Sequence, residues 1–553
     1  MVLFFKHKWF HAFRGLLINA FIYLINEFVN SASLHLLRRS KHLLAMTLLL
    51  LGFLLSHSQS STPGAMPPDT SSQDKKEVEI LNADYLKMQE DGGKKFTRLV
   101  GNVALKQDGV LMWCDSAILD KETNSVDAYG RVHIQQDTIN AYSQTLHHDG
   151  NEKLSQLRGN AKLTDGKMIL YTDLLYYDVK NKKAYYLTGG RVLKDSTIIT
   201  SQRGYYFSQT RNVFFNGNVV MTDPNYNLNS DTLEYRVEPK TSVFYGNTEI
   251  FNKDSKIYCN NGWYDSKRDV SSFGKGTVVI NPPQRLWGDS LYYERFRGFG
   301  KAIGPFTWVD SSMDVEIRGH YGEFVDARRY LMATDTPLLI YKMDKDSLFL
   351  NSDTLKSMTQ SETDTTRNFF AYHKVRMFMK DMQGVCDSMF YSFKDSTFRM
   401  YYNPVMWNES TQMSGDTIFL QTKNKKADKL SIYKAGFVIS QSNEKYFDQI
   451  KGINMFGYFE DNELRRMDVK GNGESLYFGK DEKNKYIGNN KALSTDITLH
   501  FKDKKINKIV FIQKPEAVFT PLKMLKTEEQ FKLKDFKWQI ERRPKSREEL
   551  INP

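Results

Sequence analysis

The sequence predicts an elongated, repetitive all-β protein, solenoid-like and built from units of about 29 residues, with a short helical C-terminal tail. Three observations carry this prediction. The 553 residues include 30 Tyr and 36 Phe against 14 Pro, a composition that favours extended, half-buried strands over helical bundles. Steps of 29 from Asp115 land on Gln144, Asp173, Gln202, Asp231, Asn260 and Asp289, all carboxylates or amides. Steps of 29 from Gly101 give Gly130, Gly159, Thr188, Gly217, Gly246, Lys275 and Gly304; Gly189 and Gly190 follow Thr188, and Gly274 and Gly276 flank Lys275.

The two columns lie 14 residues apart, so each unit divides into two halves of about one strand and one turn. Glycine at one corner permits positive φ or a close backbone approach, which lets a strand leave one sheet for another. Asp, Asn or Gln at the opposite corner binds nearby backbone groups and holds the second bend. If the polar side chains stack in a ladder, the amides between carboxylates relieve repulsion. A row of Ca²⁺ ligands is the functional alternative, but the dense Asp/Gly nonapeptide pattern is missing. A third column, Tyr177, Tyr206, Tyr235, Tyr264 and Tyr293, lies four residues past the polar one and so on the same strand face. Its neighbours Tyr176, Tyr205, Trp263 and Tyr292 project to the other face.

Beyond Asp289 the period loosens. His320, Asp353, Asp387 and Asp416 continue the polar column at intervals of 31, 33, 34 and 29. Ser357–Thr366 lacks apolar alternation and marks a boundary. Past Asn443 phasing fails, although 453–458, 474–478 and 508–512 still read as strands. Leu522–Leu550, rich in Lys and Glu with Met524, Leu525, Phe531 and Phe536, is the one good helix candidate. The expected organisation is a leader at 1–58, a flexible linker at 59–77, a β-repeat region at 78–356 and a loop at 357–366. A second, less regular β-repeat region at 367–515 and the partly helical tail at 516–553 complete it.

At the N-terminus, Arg38-Arg39-Ser40-Lys41 precedes the 13-residue apolar run Leu43–Leu55, and Ser56-His57-Ser58 follows. That is the pattern of a secretory signal peptide, with Gln59 the first mature residue and the periplasm the destination; a retained inner-membrane anchor is the alternative. Of the net charge of +12, the residues before 59 contribute +5, from Lys6, Lys8, Arg14, Arg38, Arg39 and Lys41 against Glu27. The remaining +7 over a long chain disfavours a nucleic-acid partner and suits an anionic ligand. Cys114, Cys259 and Cys386 are an odd count without C-x-x-C spacing and read as small buried apolar residues.

Catalytic constellations are missing from the sequence: there is no H-E-x-x-H, nucleophile elbow, P-loop or dinucleotide fingerprint. His147-His148, in the strand that elsewhere carries the tyrosines, reads as a surface or packing pair. The expectation is therefore a protein that is not an enzyme, with no cofactor and no metal. A glycan-binding or glycan-cleaving β-solenoid is the rival.

Gly101-Asn102-Val103, Gly217-Asn218-Val219 and Gly130-Arg131-Val132, alternating with Asp115-Ser116 and Asp289-Ser290-Leu291-Tyr292-Tyr293, resemble the OstA-like, LptA-type family of periplasmic lipopolysaccharide-transport proteins. The match is clearest from about residue 80 to 310. Tyr446–Gly452 and Gly471–Tyr477 resemble features of its long members. The resemblance implies an open, twisted β-jellyroll whose inside holds the acyl chains of the lipid A portion of lipopolysaccharide. It implies as partners the inner- and outer-membrane components of lipopolysaccharide transport, with possible edge-to-edge self-association. The candidate groove residues are the apolar positions after the glycine column: Val103, Leu105, Val132, Ile134, Ala161, Leu163, Val219 and Met221. The same alternation suits a closed core, and the sequence leaves both readings open.

Overall fold

A computed structural model describes residues 76–551, apart from 326–328, 344–345, 360–365, 462 and 503–504. The expected leader, signal peptide and nearly all of the linker lie outside the described residues. The chain is almost wholly antiparallel β and forms two compact units. One holds residues 76–253 with Tyr258–Asp269, and the other holds Asp254–Ile257 with the chain from Val270 onward. Below they are the N-terminal and C-terminal units.

The N-terminal unit begins with β1 (Glu79–Asn82), β2 (Tyr85–Asp91), β3 (Lys94–Gln107), β4 (Val110–Asp120), β5 (Ser125–Gln136), β6 (Ile139–Asp149), β7 (Leu154–Thr164) and β8 (Ile169–Asp178). From β3 to β8 each strand pairs with the next, so a 29-residue unit is one hairpin of two strands. Each long strand also bends at its middle. The register skips between Val100 and Val103, between Tyr129 and Val132, and between Arg158 and Ala161. At each skip a glycine and its successor both take positive φ: Gly101 and Asn102, Gly130 and Arg131, Gly159 and Asn160. Two left-handed residues in a row form a bulge that carries the strand from one sheet into the other.

Both sequence columns meet at this one bend. A Cβ placed on Gly130 would lie 2.3 Å from Asp115 Oδ2, and one on Gly159 would lie 2.6 Å from Gln144 Oε1. Asp115 also accepts from Arg131 Nε at 2.8 Å, and Asp84 Oδ2 accepts from Asn102 Nδ2 at 2.9 Å. The expected pair of opposite corners is therefore corrected: glycine and polar residue share one corner on neighbouring strands. Polar side chains consequently occupy every second strand with a glycine strand between them, so the expected ladder of adjacent carboxylates and amides does not form.

The bulge also changes which face each residue serves. Along β4 the buried positions are Val110, Met112 and Cys114 before the bend, then Ala117 and Leu119 after it, a shift of parity at Asp115-Ser116. On β8, Asp173 is accordingly exposed while Tyr177 is buried, so the tyrosine column faces inward and the polar column outward. Simple period-2 counting across the bend put them on one face; it fails because inward parity shifts at the bend on the polar strands β4 and β8, whereas on β7, which carries the extra residue, Ser155, Leu157, Ala161 and Leu163 keep one parity.

In the C-terminal unit the corner persists, in most repeats without its glycine. Consecutive left-handed pairs stand at His373-Lys374, Tyr402-Asn403, Lys434-Ala435, Gly471-Asn472 and Gln513-Lys514. The backbone N–H groups of Asp353, Asp387, Asp416, Ile453 and Thr495 donate to the first carbonyl of each pair at 2.9–3.4 Å. Strands Thr354–Thr359 and Arg367–Phe378 flank the expected loop and pair with each other inside this unit. Among the described residues the expected helix Leu522–Leu550 is replaced by the 3₁₀ turns Leu522–Met524, Glu528–Gln530 and Ile540–Arg542 and one helical turn, Glu548–Ile551, after the strand Glu516–Pro521.

Candidate functional site

Inside the N-terminal unit the eight candidate residues come to one place. Val103 and Leu105 lie on β3, Val132 and Ile134 on β5, Ala161 and Leu163 on β7, and Val219 and Met221 on the strand Asn212–Thr222. All are buried to 2% exposure or less. Cross-strand register joins four of them, Leu105, Ile134, Leu163 and Met221, into an unbroken row: Leu105, Met112, Ile134, Ala141, Leu163, Leu170, Val192, Ile199, Met221 and Leu228, each facing the next. Nine strand-to-strand steps of about 4.8 Å give the row a length on the order of 40 Å. Every member is buried, and none carries a polar group.

Opposite the bend, the ends of the strands meet along a seam. His148 Nε2 donates to Gln107 Oε1 at 2.7 Å, and Ser155 Oγ donates to His148 Nδ1 at 2.9 Å, the pattern of a neutral imidazole. Gln107 is oriented by its own Nε2, which donates to the carbonyls of Lys76 and Gly150. One repeat on, Tyr177 donates its hydroxyl to Gln136 Oε1; a further repeat on, Tyr206 donates to Asp165 Oδ2 at 2.7 Å. The seam is thus two more columns at the 29-residue step, Gln107, Gln136 and Asp165 against His148, Tyr177 and Tyr206, with partners 41 residues apart. Ion pairs follow the same line: Lys153 with Asp108, Lys182 with Asp137 and Lys240 with Asp195. Lys153 holds the Asp108 carboxyl below the usual range.

Each of these seam contacts runs through a side chain, and none is a rung of a strand ladder. Burial fixes the protonation states along it. The His148 imidazole is pushed down to about 4 by desolvation, and the Tyr177 and Tyr206 phenols are pushed well above their usual range. His147, by contrast, is half-exposed and paired with Asp127 at 2.8 Å. The two adjacent histidines therefore serve different faces.

In the C-terminal unit the interior is equally apolar. Leu339, Tyr341, Leu350, Phe369, Tyr391 and Phe398 line a cavity of about 30 Å³, room for one or two waters and far short of an acyl chain. All three cysteines are free and buried, with thiols pushed up to about 11 for Cys114 and Cys259 and about 12 for Cys386 by desolvation. Among the described residues no group of three or more His, Cys, Asp or Glu is placed to hold a metal, and no helix is long and apolar enough to cross a membrane.

Residues 75–231, which carry the bends, the apolar row and the seam, match the family model described as OstA-like protein. The chain carries an OstA-like domain. A search of curated proteins gives no match. Among solved structures, the chain is similar to LptH from Pseudomonas aeruginosa, titled the LptA homologous periplasmic component of the conserved lipopolysaccharide transport device. That alignment has 13% identity and a TM-score of 0.20, and covers 25% of this chain and 95% of LptH.

The seam columns escaped the sequence reading, although they keep the 29-residue step. Their residue types vary, and a partner 41 residues away is visible only once the strand is known to bend. The tyrosine column was the available signal; its inward direction was not.

Proposed function

We propose that this protein is a periplasmic carrier that binds the acyl chains of lipopolysaccharide in the interior of its OstA-like domain and helps move it from the inner to the outer membrane. The observation that carries this reading is the unbroken apolar row from Leu105 to Leu228, bounded on one side by a seam of side-chain contacts. Acyl chains gain about 0.8 kcal/mol for each buried CH₂, so a row of this length offers more than enough surface to hold them. The packed interior means that loading parts the two sheets at the seam, with Leu105, Ile134, Leu163 and Met221 lining the interior nearer the seam and Val103, Val132, Ala161 and Val219 lining it beside the bend. Phosphorylated head groups would stay outside, beside the basic turn residues Lys153, Lys182, Arg211 and Lys240, which recur at the 29-residue step. Membrane components of lipopolysaccharide transport, and further copies of the chain, are the partners that this role requires.

A glycan-binding scaffold is the rival. Trp113, His133 and Tyr142 form a ladder on the outer face, which a sugar ring would meet face-on. Their rings stack on one another at 4.9 and 4.5 Å, and Lys162 sits 5.7 Å from the Tyr142 centroid, so these faces are already occupied. Depletion in the native cell distinguishes the two. Lipopolysaccharide should accumulate at the inner membrane and fall at the surface; unchanged surface lipopolysaccharide refutes the carrier role.

A further inference from the structure

The tail adopts its path from the C-terminal unit rather than from helical structure of its own. After the strand Glu516–Pro521 the chain turns back and crosses the repeats in reverse order. Asn489 Nδ2 donates to the carbonyl of Gln530 at 2.5 Å. Gln449 then grips two points, donating to the Phe531 carbonyl at 2.8 Å and accepting from the Leu533 N–H at 2.7 Å. Gln412 does the same with the Lys537 carbonyl and the Gln539 N–H, both at 2.7 Å. Gln383 accepts from Arg543 Nε at 2.8 Å, and Arg376 pairs with Glu549.

These amides form a column. Gln383, Gln412 and Gln449 each stand four residues ahead of a corner residue, respectively Asp387, Asp416 and Ile453. All three, and Asn489, are buried to 3% exposure or less. A side-chain amide presents one donor and one acceptor, as a strand edge does, so the two bidentate amides hold main chain irrespective of the side chains it carries. Below the amides, Leu525 and Leu533 enter the core beside Phe437, Ile439, Leu476 and Phe478, and Leu550 packs on Leu338 and Ile340. In the N-terminal unit the strands' own Tyr, His, Gln and Asp side chains form the seam; here a separate segment fills core positions.

We infer that residues 522–551 are a displaceable cover over a lateral apolar cleft of the C-terminal unit, and that an acyl chain enters this cleft when the cover leaves. The inference rests on the amphiphile-carrying role proposed above. The cover is held by hydrogen bonds, by the ion pairs Arg376 with Glu549 and Lys451 with Asp535, and by apolar side chains from Leu522 to Ile551, with no strand ladder to break. It therefore sets a conformational threshold on binding: apparent affinity scales with the fraction of molecules whose cover is open.

The test uses the full chain, the variant Gln412→Ala/Gln449→Ala and a chain ending at Pro521, each titrated with a dansyl-labelled fatty acid. The double variant deletes four hydrogen bonds to the tail at about threefold each, so its apparent affinity for the probe should rise on the order of 10²-fold. The truncated chain should bind at least as tightly, and a synthetic 522–551 peptide added in trans should reverse the gain. Hydrogen exchange over 525–550 should accelerate in the double variant. Native exchange protection over 270–520 identifies the variants that remain folded; the double variant, which keeps the whole tail, is the control if truncation unfolds the unit. The cover is refuted if folded variants bind no more probe than the full chain, or if the peptide fails to compete. A probe that crosslinks at Val132 but gains nothing from either variant refutes the cover alone; a probe that binds no form of the protein refutes the carrier role as well.

Discussion

Lowering the pH from 7.5 to 5 should weaken the first repeats of the OstA-like domain through one residue, His148. Its imidazole is buried and its pKa is pushed down to about 4, with desolvation the main cause, the charge of Asp149 opposing it and that of His147 adding to it. An unfolded histidine titrates near 6.5, so between those values the unfolded chain binds more protons than the folded one. The neutral side chain thus contributes its full stability above about pH 6.5, and this is lost as pH falls toward about 4. At pH 5 the loss is about 2 kcal/mol, and an independently melting unit of this size shifts by about 4–8 °C for that amount. His148→Tyr places at this position the residue that Tyr177 and Tyr206 supply one and two repeats later, with Gln107 as its acceptor. Hydrogen exchange of β3 to β7 at pH 7.5 and pH 5 should show opening in the wild type and little change in the variant. The same pH response in both proteins would refute the assignment.

Other residues give contrasts of the same kind. Gly130→Ala meets Asp115 Oδ2 at 2.3 Å at a φ of +75°, whereas Gly166→Ala has a φ of +83° and nothing within 4 Å; the first should cost about 2–4 kcal/mol and the second about 1 kcal/mol in thermal denaturation, and equal shifts would contradict the corner geometry. Tyr206→Phe removes the donor to Asp165 Oδ2 while Asp165 Oδ1 keeps the N–H groups of Lys167 and Met168. It should cost about 1–3 kcal/mol and speed exchange at the seam without altering β3 and β4; a silent substitution would remove the seam's energetic role. Cys114, Cys259 and Cys386 should react with a thiol reagent at neutral pH only after denaturation, and rapid labelling of the native chain would contradict their burial.

The all-β class and the 29-residue unit were legible because glycine is the residue best suited to the left-handed bend, as at Gly101, Gly130 and Gly159. The geometry of the bend was not. The bulge adds its extra residue on the glycine strand, and the inward parity of the facing polar strand shifts at the bend, so Asp173 and Tyr177 part company despite their even spacing. In the C-terminal unit the bends at His373-Lys374, Tyr402-Asn403 and Lys434-Ala435 dispense with glycine, and with it went the signal that phased the repeats. The tail misled for a related reason. Its Leu533, Phe536 and Trp538 are spaced to meet a cleft gripped by Gln449 and Gln412, and composition alone read the same Lys- and Glu-rich stretch as a helix.

The inward direction of the candidate groove residues was legible because inward alternation resumes after each glycine, from Val103 to Met221. Whether that interior admits lipid is the central claim, and site-specific photo-crosslinking in cells tests it most directly. A photoreactive residue at Val132 or Val219, inside the unit, should capture lipopolysaccharide, while one at Tyr129, exposed on β5, should not. Crosslinks from Tyr129 alone, or none from either inward position, would contradict the account.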